Sequence, residues 1–504
     1  MSAKPAVSEG KDDDLFEILR IREEFRDRYW LKKDPIYQDR LLWRAQTFRH
    51  MVHLLPGQSI LELGCGQGLF TRHLLQVSRG ENPITAVNFN SHPQFAERSL
   101  TNVKFCKLST LNDPISNSQF DHIIAIDLVD RRNCRWLLEK VYTMVKPGGH
   151  AVFYESNPRN LMLKLRNLFS QISRKGDPRQ LLSGLELIKL FSKIGFKDSL
   201  LLYNDFVYPP LTSSLIWFLR NMSILLENTP GVRTFAGSIL IHAQKPSLVA
   251  EKPHISLFQH RNLYKAVSVV IPCHNEEANI EPLTTKLKSY FGDYIYEIIP
   301  VDDNSTDSTR EVIRRLASEN PMIRPIFRSS PNGVGRAISD GLRAARGEYV
   351  LTLDCDFQEI LPEIRDLFDA AAEGYDVVIG SRFSRHSVLL NYPLQKIIAN
   401  RGFHLFAQIL FLKGFRDLTN NLKLMRKEVA HKLQLTQPGF AVNAETGLQP
   451  LLMGYKVKEV PISWINRTRE MGVSSFSLTK AAVGYSQVLI KLWFTRVFRI
   501  RDYP

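Results

Sequence analysis

One pattern of organisation occurs twice in this chain, and it constrains the fold more than any other feature. Short apolar runs alternate with helical stretches, and the runs end on glycines, amides or carboxylates. The first set is SILELGCGQG, ITAVNFN, HIIAIDL and HAVFYES, and it lasts until GSILIHAQKP. The second set is AVSVVIPCHNEEANI, YEIIPVDDNSTDST, GEYVLTLDCDFQ and YDVVIGSRF. Apolar strands alternating with helices predict parallel sheets covered on both faces. A chain of 504 residues exceeds what one core carries, so two α/β domains are expected.

The sequence divides into five parts. Residues 1–14 are polar and expected to be a disordered tail. A first α/β unit runs over 15–245, opening with a strongly charged helical stretch (LFEILRIREEFRDRYW). Residues 246–265 hold two prolines and no clear period, as a linker does. A second α/β unit covers 266–478, and a basic amphipathic helix covers 479–504.

Hydrophobic residues at 44% and charged residues at 23% fit a folded globular protein. The net charge of +15 favours an anionic partner: nucleic acid, a lipid surface or phosphorylated substrates. The basic residues are spread through both units with no nucleic-acid motif, so no nucleic acid is expected. Five cysteines in no metal or CxxC spacing predict reduced thiols and a cytoplasmic protein. The chain start has no apolar signal core. The longest apolar stretches, 211–226 and 403–415, are broken by Arg220 and Lys413, so no membrane-spanning helix is expected.

In the first unit, Gly64, Gly66 and Gly68 stand where a strand gives way to a helix, with Glu62 just before them. Glycine there permits a tight turn and close backbone approach to a ligand, and the helix N-terminus favours an anionic group. With FDHIIAIDL and MVKPGGHAVFYE downstream, residues 45–245 resemble the class I S-adenosylmethionine-dependent methyltransferases of Rossmann-like fold. The resemblance implies that Glu62, Gly64, Gly66 and Gly68 lie against S-adenosylmethionine. It also puts the residue after ITAV beside the ribose. That residue is Asn88, where the family has an acid, so a charge-assisted bond is lost. His92, His122 and His150 are base candidates by residue type only.

In the second unit three strand ends carry ligand-type residues. They are Pro272 with Asn275, Glu276 and Glu277; Asp302 with Asp303; and Asp354 with Asp356. Ligands of open α/β sheets bind beyond the carboxyl ends of the strands. Asp354 and Asp356 alternate in an extended segment and point the same way, so both reach one divalent cation, Mg2+ or Mn2+. Such a cation neutralises a departing nucleoside diphosphate.

The ordered series VVIPCHNEEANI, VDDNSTDST, NGVGRAISDGLRAARGEY, DCDFQ, VVIGSRF, DLTNNLKLMR, NAETGLQPLLMGYKVKEVPISW and MGVSSF spans residues 266–478. It resembles the family-2 inverting glycosyltransferases of GT-A fold, in particular the dolichol-phosphate mannosyltransferases and other polyprenyl-phosphate glycosyltransferases. The resemblance puts Pro272, Glu276, Asp303, Asp354 and Gln358 on a nucleotide-sugar donor and assigns the metal to Asp354 and Asp356. It makes Arg382 a phosphate contact. Asp417, Asn420, Asn421 and either Arg467 or Arg469 fall on the acceptor side. Glu445 falls at an acidic catalytic position, as a base or as a residue that orients the sugar. The chain departs from the pattern at Val334 and Ser475, where lysines are common; Arg336 is a possible replacement cation for the first.

Three functions are compatible with these residues. The leading one is a bifunctional enzyme that glycosylates a polyprenyl phosphate and methylates a surface glycan. The second is a glycosyltransferase acting on a glycan hydroxyl with a non-catalytic first unit. The third, a nucleic-acid binder, rests on charge alone. Apolar helix surface around 403–411, and Trp493, Phe494 and Phe498 among basic residues, predict peripheral contact with the cytoplasmic face of a membrane.

Overall fold

The structure is a computed structural model. It describes residues 9–31, 35–90, 100–108, 114–165, 179–208, 212–247, 256–355, 357, 363–384, 387–390, 392–465 and 478–497. Gln358, Asp356, Arg467 and Arg469 lie outside the described residues, as do His92, Ser475 and Phe498. The chain forms two compact units that divide after Lys252.

The first unit holds seven strands: β1 (Ile60–Leu63), β2 (Ile84–Asn88), β3 (Val103–Lys107), β4 (Phe120–Ile126), β5 (Val145–Ser156), β6 (Lys197–Asn204) and β7 (Ser238–Gln244). Their order is β3-β2-β1-β4-β5-β7-β6. The strands β1 to β5 run parallel, and β7 enters antiparallel between β5 and β6. This is the Rossmann-like methyltransferase architecture. The sheet is mixed, whereas the alternation of strands and helices predicts a parallel one. A continuous apolar run such as SILIHAQ encodes burial on both faces and leaves strand direction open. The core joins Leu61, Val87, Ile123, Phe153 and Ile241 from the sheet to Leu137, Leu138 and Phe191 from the covering helices. The first helix, Glu9–Trp30, begins inside the stretch expected as a tail.

The second unit's main sheet contains β8 (Val267–Cys273), β9 (Ile295–Asp302), β10 (Ile326–Phe327), β11 (Tyr349–Thr352), β12 (Val377–Ser381), β14 (Lys423–Arg426) and β15 (Val457–Pro461). Two short strands, β13 (Leu389–Leu390) and β16 (Trp464–Ile465), pair apart from it. The main order is β10-β9-β8-β11-β14-β12-β15, with β14 antiparallel to both neighbours. Here too the sheet is mixed. Residues 257–264, expected in the linker, pack on the second unit: Leu257 N–H donates to Tyr290 (2.8 Å) and the Phe258 ring meets Tyr294 edge-on.

Candidate active sites

The first unit's glycine turn is built as the sequence predicts. Gly64, Gly66 and Gly68 have φ of 70°, 50° and 69°, a region that favours glycine, and the helix Leu69–Val77 starts directly after them. Glu62 is buried in β1, accepts from the Thr71 hydroxyl (2.6 Å) and is pushed up to about 7 by burial. Asn88 ends β2 and turns back to the loop: its Nδ2 donates to Gly66 O (2.8 Å) and its Oδ1 accepts from Asn90 N–H (2.6 Å).

What the sequence did not reveal is the neighbour of this turn. Glu23, from the helix Glu9–Trp30, accepts from Gly66 N–H at 3.0 Å and from Phe89 N–H at 3.1 Å. A methyl group on Gly66 would lie 2.1 Å from Asp27 Oδ2. The residues expected to hold S-adenosylmethionine are therefore assembled, but they do not fit the cofactor with this helix in place.

Of the base candidates, His122 stands on β4 beside His150 on β5, and His150 is stacked on His242. Burial holds His122 well below the ordinary histidine range. His122, His150 and His242 are in the sheet, away from the glycine turn in register, and form a structural ladder.

In the second unit the strand ends converge. Asp303 N–H donates to Cys273 O (2.8 Å), Leu353 N–H to Val270 O (3.2 Å), and the Cys273 and Cys355 sulfurs are 3.6 Å apart. These contacts bring the ends of β8, β9 and β11 together. The turns after β8 and β9 are laced to each other: Asn275 Oδ1 accepts from Thr306 N–H (2.9 Å), and Glu276 N–H donates to the Thr309 hydroxyl (2.7 Å). The Glu276 carboxylate accepts from Asn279 (2.6 Å). Pro272 is half-buried in β8.

Asp302 is fully buried and gripped by Arg310 (2.6 and 2.9 Å). Asp303 accepts from Gly333 N–H (2.6 Å) and pairs with Arg328, which also holds Asp340 (2.7 Å). Arg328 is a residue the sequence reading missed; a lone arginine in IFRSSPNG carries no signal without its tertiary partner. Asp354 is half-exposed at its strand end, and Asn421 Nδ2 donates to its Oδ1 at 2.7 Å. An amide orienting a carboxylate this way suits a metal ligand, so Asp354 fits a divalent cation. Among the described residues there is no cluster of three or more metal-ligating side chains.

The segment Asp417–Lys423 forms a buried polar block. Arg382 Nε and Nη2 donate to the two oxygens of Asp417 (2.7 and 2.9 Å), and its backbone N–H adds a third bond (3.1 Å). This fork holds Asp417 far below the usual carboxylate range despite full burial. Asn420 Nδ2 donates to Gly380 O (2.7 Å). Lys423, the last residue of the DLTNNLK stretch, is fully buried between the Asn420 and Asn443 carbonyls, and burial pushes it down to about 7.

Glu445 is buried in the helix Val442–Leu452 and accepts from Thr436 N–H (2.9 Å), Thr436 Oγ1 (2.7 Å) and Gln437 N–H (3.1 Å). That turn in turn supports the donor end: Pro438 O accepts from Gly335 N–H (2.8 Å), and a methyl group on Gly335 would meet Gln437 O at 2.1 Å.

The glycosyl transferase family 2 profile matches residues 268–434, and a methyltransferase domain profile matches residues 60–149. The chain is 30% identical over 216 residues to the polyprenol monophosphomannose synthase of Mycolicibacterium smegmatis, covering 42% of this chain and 80% of that one. It is 31% identical over 207 residues to the dolichol-phosphate mannosyltransferase of Pyrococcus furiosus, covering 40% of this chain and 57% of the relative's length. Among solved structures, glucosyl-3-phosphoglycerate synthase from Mycobacterium tuberculosis aligns at 20% identity and TM-score 0.36, over 49% of this chain and 84% of the other. The chain belongs to glycosyl transferase family 2 through its second unit, and carries a methyltransferase domain ahead of it.

Proposed function

We propose that the second unit transfers a sugar from a nucleotide-sugar donor to a polyprenyl-type phosphate at a membrane surface. The first unit would then methylate a glycan from the same route, with S-adenosylmethionine as donor. The relatives named for polyprenol and dolichol phosphate support the acceptor class. The carrying observation is the placement of Asp303 and Asp354 at the ends of β9 and β11, the two strands that flank β8, with Asp356 two residues further on in sequence.

Asp303, fixed by Arg328 and Gly333 N–H, orients the nucleoside. Asp354 and Asp356 would hold Mg2+ or Mn2+, which supplies charge neutralisation at the diphosphate when bound. The acceptor oxygen bonds to the anomeric carbon as the bond from that carbon to the diphosphate oxygen breaks, so configuration inverts. A hydroxyl acceptor needs a general base; a phosphate acceptor is already anionic and needs none. The engagement of Glu445 with Thr436 and Gln437 favours the phosphate.

Membrane contact is supported by two helices that pack together, joined by Arg496 Nη1 donating to Phe411 O (2.6 Å). On Leu394–Phe411 and the residue after it, Ile398, Leu405, Ile409 and Leu412 are exposed; on Leu478–Val497, Val483, Ile490, Phe494 and Val497 are exposed. Both sets share the spacing i, i+7, i+11, i+14, which is one helix face. Exposed Lys413, Arg416 and Lys491 accompany them, as suits the anionic cytoplasmic face of a bilayer. No described helix is long and apolar enough to cross a membrane.

The test is release of nucleoside diphosphate from GDP- and UDP-sugars with Mn2+ or Mg2+, with and without a short polyprenyl phosphate. Release should require the lipid phosphate and fall by roughly 100-fold or more in Asp354→Ala, since a bound cation supplies several kcal/mol. Release indifferent to the lipid but stimulated by a glycan would defeat the proposal.

A further inference from the structure

The helix Glu9–Trp30 reads as a charged surface helix, yet Arg22, Glu23, Arg26 and Asp27 are each at most 5% exposed. Buried charge is costly unless it is partnered. The partners are groups at the carboxyl ends of the sheet's central strands. Glu23 Oε1 accepts from Gly66 N–H (3.0 Å). Its Oε2 accepts from Phe89 N–H (3.1 Å), Asn90 N–H (3.0 Å) and Asn90 Nδ2 (2.9 Å). One carboxylate thus bridges the glycine turn after β1 and the segment after β2. Arg26 donates to Ile126 O at the end of β4 (3.1 Å) and to Asp27 (3.0 Å). Arg22 donates to Val129 O (2.7 Å) and Glu155 (3.0 Å).

The space is filled as well. Methyl groups on Gly66 and Gly64 would lie 2.1 Å from Asp27 Oδ2 and 3.4 Å from Arg26 Nη1. On the apolar side Phe16 and Leu19 join Leu63, Phe89 and Leu108, leaving a cavity of about 30 Å3. That is room for about one water, whereas pockets for small molecules run to roughly 300 Å3 or more. A ligand lying along the glycine turn and the end of β2 needs the same N–H groups and the same volume.

We propose that the helix Glu9–Trp30 is an internal occupant of the first unit's cofactor cleft, and that S-adenosylmethionine enters only when the helix withdraws. The inference rests on the reading of that cleft as a cofactor site. The full chain then binds with its intrinsic affinity reduced by the fraction of molecules in which the helix is out. Removing Glu23 releases the three backbone N–H groups and raises that fraction.

The experiment is calorimetric titration of the full chain and of Glu23→Ala with S-adenosylhomocysteine, paired with amide hydrogen exchange of residues 16–30. The expected result is at least tenfold tighter binding by Glu23→Ala. In the unsubstituted chain, saturating S-adenosylhomocysteine should speed exchange across 16–30. Equal affinity in both proteins, with 16–30 still protected when ligand is bound, overturns the occupant and leaves the cofactor reading standing. No binding by either protein overturns both. Should Glu23→Ala fail to fold, Glu23→Gln keeps one accepting oxygen and sets its NH2 against the N–H groups the other oxygen held, so it should tighten binding in the same direction by a smaller factor; the exchange measurement needs no variant.

Discussion

Glu445 illustrates how a carboxylate in a catalytic segment can act through backbone. Its oxygens hold the Thr436–Gln437 turn, and the residues Gln437 and Pro438 pack against Gly335 and Gly333, the second of which donates its N–H to Asp303. A general base contributes roughly 100- to 10,000-fold, and Glu445→Gln would remove all of it along with one limb of the pH–rate profile. A positioning residue behaves differently, because glutamine keeps one oxygen to accept from Thr436 N–H. We expect Glu445→Gln to lower kcat/KM less than about tenfold with the profile unmoved, and Glu445→Ala to raise the donor KM more than it lowers kcat. Steady-state kinetics across pH would reveal a base instead if glutamine abolished turnover.

His404 makes a second prediction at this scale. Its Nε2 accepts from Leu418 N–H (2.9 Å) and its Nδ1 faces Asn400 O (2.7 Å), so the neutral ring with a proton on Nδ1 satisfies both. Burial lowers it from 6.5 to about 4. The unfolded chain therefore takes up the proton first as the pH falls. The stabilisation is complete above pH 6.5 and is lost towards about pH 4. Urea unfolding of the second unit should lose roughly 2 kcal/mol between about pH 7 and pH 5, relative to His404→Gln over the same range. Parallel pH slopes for the two proteins would refute this.

These residues also mark what a sequence reveals. Asp303, Asp354 and the glycine turn were legible as strand-end features, because apolar runs ending on glycines or carboxylates mark where open α/β sheets present their carboxyl ends. Glu23 and Arg328 were not. Arg22, Glu23, Arg26 and Asp27 sit in a densely charged helical stretch, and dense charge on a helix reads as solvent-facing. Their burial depends on N–H, C=O and carboxylate groups that the sequence places about 40 to 130 residues away.

At the scale of elements, the apolar strands were predictable and their directions were not: β7 is an apolar run like the parallel strands of its sheet, while β14 (KLMR) has too little apolar sequence to be read as a strand at all. The two helices with matching stripes carry the functional consequence. Leu405 and Phe494 each expose about half of their surface or more, at 59% and 47%. Inserting a large apolar side chain into a bilayer interface contributes roughly 1.5–3 kcal/mol, so a pair contributes enough for a clear effect. Leu405→Ser with Phe494→Ser should weaken sedimentation with phosphatidylserine-containing vesicles at least tenfold, without lowering thermal stability, because neither side chain belongs to the core. Binding unchanged by the double substitution would mean that the stripes face another partner or solvent. Added salt should weaken the unsubstituted chain's binding through Lys413, Arg416 and Lys491.

For the whole molecule, the question is whether the two chemistries share a fold or only a chain. Each unit has its own seven-stranded sheet and its own apolar core, and the division falls in the 246–265 region. Separate cores predict separate cooperative transitions. A ligand stabilises only the unit that binds it, by about 2.7 kcal/mol at a hundredfold excess over Kd, or roughly 5–10 °C for a unit of this size. Scanning calorimetry should therefore show two transitions, and GDP or UDP with Mn2+ should raise one of them alone. Asp417→Ala strands the buried Arg382 guanidinium and should lower that same transition, since breaking a buried pair costs roughly 3–5 kcal/mol. Glu23→Ala should move only the other. If nucleotide raised both transitions together, the units would be thermodynamically coupled, and occupancy of the donor site would be felt at the helix that fills the first cleft.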